Sequence, residues 1–228
     1  RQYQKALAIF LEAHGPEHPS TASIYQKIGN LLQRQGKVEE AMQQYQKVLV
    51  ICLEVHGPEH ASTAQVYHCI GDVLRRQGKY EEAMQQYQKV LEIRLKTLGP
   101  EHSSTADAYH SIGVVLFRQH KYEEAMQQYQ AVLGTRLKMY GPEHPLTAST
   151  YDSIGGVLHK QGKHKEAIQT FKEAYNIKLK VYGKEHISTQ SSWSWIVQIR
   201  RIHLPDDRLD WIFTEKISAP WRSDPSIL

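Results

Sequence analysis

The sequence predicts an all-α solenoid, a stack of antiparallel helix pairs, and three observations carry that expectation. The first is a four-residue punctuation at a fixed interval: GPEH at 15–18, 57–60, 99–102 and 141–144, then GKEH at 183–186, each 42 residues after the last. A catalytic loop is needed once, whereas a period of about 20 to 50 residues marks a repeat array. The second is helical spacing inside each period. Tyr25, Ile28, Gly29 and Leu32 stand at i, i+3, i+4 and i+7, and Ala41, Tyr45, Val48, Leu49 and Leu53 resume the stripe. The third is the chemistry of the breaks, where Gln35-Gly36-Lys37 and GPEH supply glycine stops and a proline that cannot continue a helix.

The elements follow in order. Residues 1–14, RQYQKALAIFLEAH, align with Gln43 to His56, so 1–19 reads as the second helix and joint of a truncated repeat, and the chain as a piece cut from a longer protein. Four repeats occupy 20–61, 62–103, 104–145 and 146–187. In the first of these the helix through Tyr25 to Arg34 ends at Gly36. A second helix opens with Glu39 and Glu40 in the turn where the helix dipole favours negative charge. Ser62 and Thr63 are expected to cap the following helix with their hydroxyls. Gly29, Gly71, Gly113 and Gly155 should let first helices press on second helices at Ala41, Ala83, Ala125 and Ala167. Tyr25, Tyr67, Tyr109, Tyr151 and Trp193 on first helices, and Tyr45, Tyr87, Tyr129 and Phe171 on second helices, fill the seam. Residues 188–218 read as a degenerate capping repeat. Ser188 to Arg201 fit a first helix, DDRLDWIFTEKIS is a poor copy of a second, and Trp195, Trp211 and Trp221 are available to cover the open end. The tail 219–228, with two prolines, is expected to be extended or disordered.

Composition narrows the function. A net charge of +4, from 28 basic and 24 acidic residues, falls short of the basic dominance of a nucleic-acid binder, and the aromatics are committed to the seam. Cys52 and Cys69 lie on apolar helical stretches and form no C-x-x-C pair, which points to a reducing, cytoplasmic setting. No run approaches the roughly 18 apolar residues of a membrane span. Phosphate loops, nucleophile elbows and H-E-x-x-H motifs are missing, and each notable acid recurs with the period. The expectation is therefore no enzyme, no cofactor, no metal and no small-molecule substrate. The pairs His14/His18 and His56/His60 are four apart, but a glycine and a proline stand between them, so they read as residues that fix the turn.

Tyr25, Ile28, Gly29, Ala41, Tyr45 and Val48 resemble, in type and spacing, the signature of tetratricopeptide repeats, and the 42-residue unit with its GPEHPST or GPEHSST joint looks like the kinesin-light-chain and nephrocystin-type branch. The resemblance spans residues 1 to about 203 and implies a right-handed solenoid whose first helices line a concave groove for protein segments. Carried over position by position, the groove residues are Gln26, Asn30 and Arg34; His68, Asp72 and Arg76; His110 and Arg118; and Asp152 and Lys160. Ser23, Gln65, Asp107, Ser149 and Ser191 share the groove register. Arg34, Arg76, Arg118 and Lys160 form a ladder suited to an acidic peptide, although cations near a helix C-terminus also complement its dipole without any ligand. His68 and His110 open the way to pH-sensitive binding. Where the kinesin-light-chain branch tends to carry an asparagine, this chain has Lys27, Cys69, Ser111 and Ser153. The resulting expectation is a protein-interaction scaffold with a protein or peptide partner, no nucleic acid and no membrane. The alternatives are the sensor arm of a larger signalling ATPase, a motor adaptor, or an architectural spacer.

Overall fold

A computed structural model describes residues 2–204 and shows ten helices there: α1 (Gln2–His14), α2 (Pro19–Arg34), α3 (Val38–His56), α4 (Ala61–Arg76), α5 (Tyr80–Leu98), α6 (Ser103–Arg118), α7 (Tyr122–Tyr140), α8 (Pro145–Lys160), α9 (His164–Tyr182) and α10 (Ile187–His203). The chain is all-α across these residues, and each helix packs on the next in sequence, with α6 also touching α8. The closing helix expected over DDRLDWIFTEKIS, the tail, Trp211 and Trp221 lie outside the described residues.

The seam is built from rings seated on glycines. Tyr45 and Tyr87 are wholly buried, and Tyr129 and Phe171 nearly so. A Cβ added to Gly71 would lie 2.7 Å from Tyr87 Cε1, and one on Gly155 would lie 3.0 Å from Phe171. The residue closest to the glycine is thus the second-helix ring, and the alanine four positions earlier is wholly buried as well. Within each repeat the turn closes through backbone bonds: Gly36 sits at φ +77°, and the Lys37 N–H reaches Leu32 O at 2.9 Å. In the third full repeat the glycine is replaced by His120, which takes φ +62°, a conformation that carries a steric cost for any residue with a Cβ.

Every letter of GPEH has a separate task. Gly57 takes φ +84° and its N–H bonds Leu53 O at 3.1 Å, closing α3. Glu59 pairs with Lys96 near the end of α5, and Glu101 with Lys138 and Glu143 with Lys180 repeat the contact, so these three joints are tied to the following second helix. These pairs are largely exposed, and each contributes under about 1 kcal/mol. His60 Nδ1 accepts the Ser62 N–H at 3.1 Å, and His18, His102, His144 and His186 do the same at their joints. The N-cap is therefore imidazole and not the expected serine or threonine hydroxyl. The Thr63 hydroxyl turns back and donates to Gly57 O at 2.7 Å instead. The His56 and His60 rings stack at 4.5 Å, which accounts for the four-residue spacing without a ligand.

Candidate functional site

Successive first helices stand side by side and are cross-linked by polar pairs. His68 Nε2 on α4 lies 3.1 Å from Ser111 Oγ on α6, and His110 Nε2 on α6 lies 3.1 Å from Ser153 Oγ on α8. Cys69, at the equivalent position of α4, accepts instead from Gln65 of its own helix at 3.8 Å. At Ser111 and Ser153 the position where the resembled branch tends to carry asparagine is thus used here to join neighbouring repeats. The two histidines are poor proton acceptors. Burial pushes His68 below its ordinary value, and burial reinforced by the Arg136 charge pushes His110 down to about 4. Burial thus disfavours the charged form of both rings, which works against the pH-sensitive contact raised by the sequence.

Asn30 and Asp72 have a second internal task. The Tyr45 hydroxyl donates to Asn30 Oδ1 at 2.7 Å, and the Tyr87 hydroxyl donates to Asp72 Oδ1 at 2.7 Å. Asp72 also receives Arg75 at 3.3 Å. In the next two repeats the acceptor position becomes Val114 and then Gly156, and in the second of these the tyrosine becomes Phe171. Tyr129 thus keeps its phenol although Val114 offers it no acceptor, and only the Gly156 repeat drops the hydroxyl.

Three cations that the register did not single out lie buried between repeats. Arg94, Arg136 and Lys178 occupy the second-helix position held by Cys52 in the first full repeat, and all three are at least nine-tenths buried. Arg136 donates to Asp107 Oδ1, Thr150 Oγ1 and Leu146 O, each at 2.9 Å. Lys178 pairs with Asp152 and donates to Ser192 Oγ at 3.0 Å. Asp107 and Asp152, which share the groove register, are therefore the counter-ions of buried charges. The available sequence signal was an arginine or lysine inside the apolar stripe of α5, α7 and α9.

The remaining predicted site residues face solvent. Arg34, Arg76, Arg118 and Lys160 are exposed at the ends of α2, α4, α6 and α8. Among the described residues no hydrogen bond or ion pair engages them, in contrast to Lys96, Lys138 and Lys180 at the ends of second helices, which all hold glutamates. No helix among the described residues is long and apolar enough to cross a membrane.

Comparison with known proteins agrees with this geometry. No curated protein matches the chain. Among solved structures, a Podosopora anserina protein with nearly identical TPR-like repeats, named after the kinesin light chain, superposes with a TM-score of 0.67 at 23% identity, over 81% of this chain and 87% of that one. BtubC (BKLC) from P. vanneervenii superposes with a TM-score of 0.72 at 15% identity, over 88% and 80%. At these identities the likeness is one of fold. The tetratricopeptide repeat pattern itself matches residues 1–54, 26–96, 62–138 and 104–180, overlapping stretches that follow the helix pairs described above, and the chain belongs to the tetratricopeptide repeat family.

Proposed function

We propose that the chain is a non-catalytic scaffold that holds an extended acidic segment of a partner protein along the face formed by its first helices. Tetratricopeptide repeats generally serve protein–protein interaction, and the observation that selects this face is the unengaged ladder Arg34, Arg76, Arg118 and Lys160. Other groove-register side chains mostly serve the framework: His68 and His110 join repeats, Asn30 and Asp72 hold the seam phenols, and Asp152 neutralises Lys178. Recognition then falls to one cation per repeat, which meets carboxylates through charge-assisted hydrogen bonds. A reducing, cytoplasmic setting belongs to the same reading, supported by the free thiols of Cys52 and Cys69. The motor-adaptor role suggested by the name of one structural neighbour is not carried over, because 23% identity brings only the fold.

The test is a fluorescence titration with a labelled peptide of alternating glutamate and serine, against the same peptide with glutamine in place of glutamate. The acidic peptide should bind, and its affinity should fall as salt is raised, since exposed charge pairs are screened. Equal binding of the two peptides, or none, would leave the architectural spacer as the better description.

A further inference from the structure

Next to Lys160, the last cation of the first-helix ladder, the described residues contain a cluster of three side chains able to ligate a metal: His159 at the end of α8, His164 at the start of α9 and His203 at the end of α10. One donor nitrogen from each lies within 4.8 Å of the others. His159 Nδ1 and His164 Nδ1 are 3.3 Å apart, the separation of about 3.3 Å that two nitrogens adopt when each is roughly 2.0–2.1 Å from a tetrahedral zinc ion. Linear spacing gave no hint of the site, because His203 joins only through the packing of α10 on α9.

The repeats supply their own control. The positions equivalent to His159, His164 and His203 hold Gln33, Val38 and Gln77 one way along the array, then Arg75, Tyr80 and Gln119, then Phe117, Tyr122 and Gln161. Packing at this place is satisfied by the Phe117–Tyr122 ring contact, with centroids 5.7 Å apart. In the last instance all three places change to imidazole together. Ring packing alone requires aromatic area and not the approach of the His159 and His164 nitrogens.

We propose that His159, His164 and His203 bind one divalent transition-metal ion of the zinc class, with water in the fourth position, and that the ion fastens the end of α10 to the α8–α9 turn. Neutral imidazole suits zinc, copper and nickel, and three protein ligands with one open position is an established zinc arrangement. His164 and His203 now stack at 3.8 Å with planes 11° apart, so their in-plane lone pairs run nearly parallel. Binding therefore requires one ring to turn, and exposed His203, in the last turn of its helix, is the one able to do so.

The experiment is calorimetric titration of zinc chloride into the full chain after chelator treatment, alongside the cobalt(II) visible spectrum and thermal melting. The variant His159→Phe/His164→Tyr restores the residues of the preceding repeat and so keeps the packing. The unsubstituted chain should take up one ion, give the intense absorption of tetrahedral cobalt, and melt higher with zinc. The variant should melt as the metal-free chain does and lose affinity by more than the about 10–100-fold typical of removing an outer-sphere partner. His203→Ala should weaken binding in the same direction. Absence of uptake, or uptake equal in the chain and the variant, would overturn the proposal, the second result assigning the ion to the histidine pairs of the joints.

Discussion

The joints and the first-helix face differ in how strictly they repeat. GPEH recurs unchanged four times, and each of its residues answers a backbone demand: a left-handed glycine, a chain break, a carboxylate for the next repeat and an imidazole cap. The face changes from repeat to repeat, with Gln26, His68, His110 and Asp152 at one register position, because any polar pair that spans two helices will serve there. Against that variation, the basic ladder recurs although the described residues give it nothing to hold. Repetition imposed by backbone geometry marks scaffold, and the proposed function takes repetition of an unengaged charge as the mark of use.

The sharpest break between the two regions is expected in the seam beneath the face. Gly71→Leu forces carbon into the ring of wholly buried Tyr87 and should lower the unfolding free energy in urea by about 3 kcal/mol. The buried histidines come next. His110 titrates near 4 when folded and near 6.5 when unfolded, so between those values the unfolded chain binds more protons and stability falls as pH falls. Acidification from pH 7 to 4 should cost up to about 3 kcal/mol through this residue, and His110→Gln should flatten that part of the pH profile. His60→Ala, which removes one joint cap, should cost about 1 kcal/mol by the same urea measurement.

Much of this architecture was legible from spacing. The 42-residue period, the i, i+3, i+4, i+7 stripe of Tyr25 to Leu32 and the glycine stops led directly to helix pairs, because those signals arise from local backbone geometry. Contacts between side chains of different repeats were not legible. The use of Ser111 by His68, of Asp152 by Lys178, and the meeting of His203 with His159 all depend on how far one helix pair is shifted against the next. The cap was misassigned for a related reason: Ser62 and Thr63 are favourable capping residues by type, but the extended backbone at His60 puts its imidazole, two positions before Ser62, against the free N–H.

Charge reversal separates the two regions most directly. Arg76→Glu/Arg118→Glu alters the face, Glu59→Lys/Glu101→Lys alters the joints, and both sets are exposed enough that melting should shift little. Titrated with the alternating glutamate–serine peptide, the face variant should lose most of its affinity while the joint variant keeps it. Equal loss in both variants, or full retention in the face variant, would contradict recognition by the ladder.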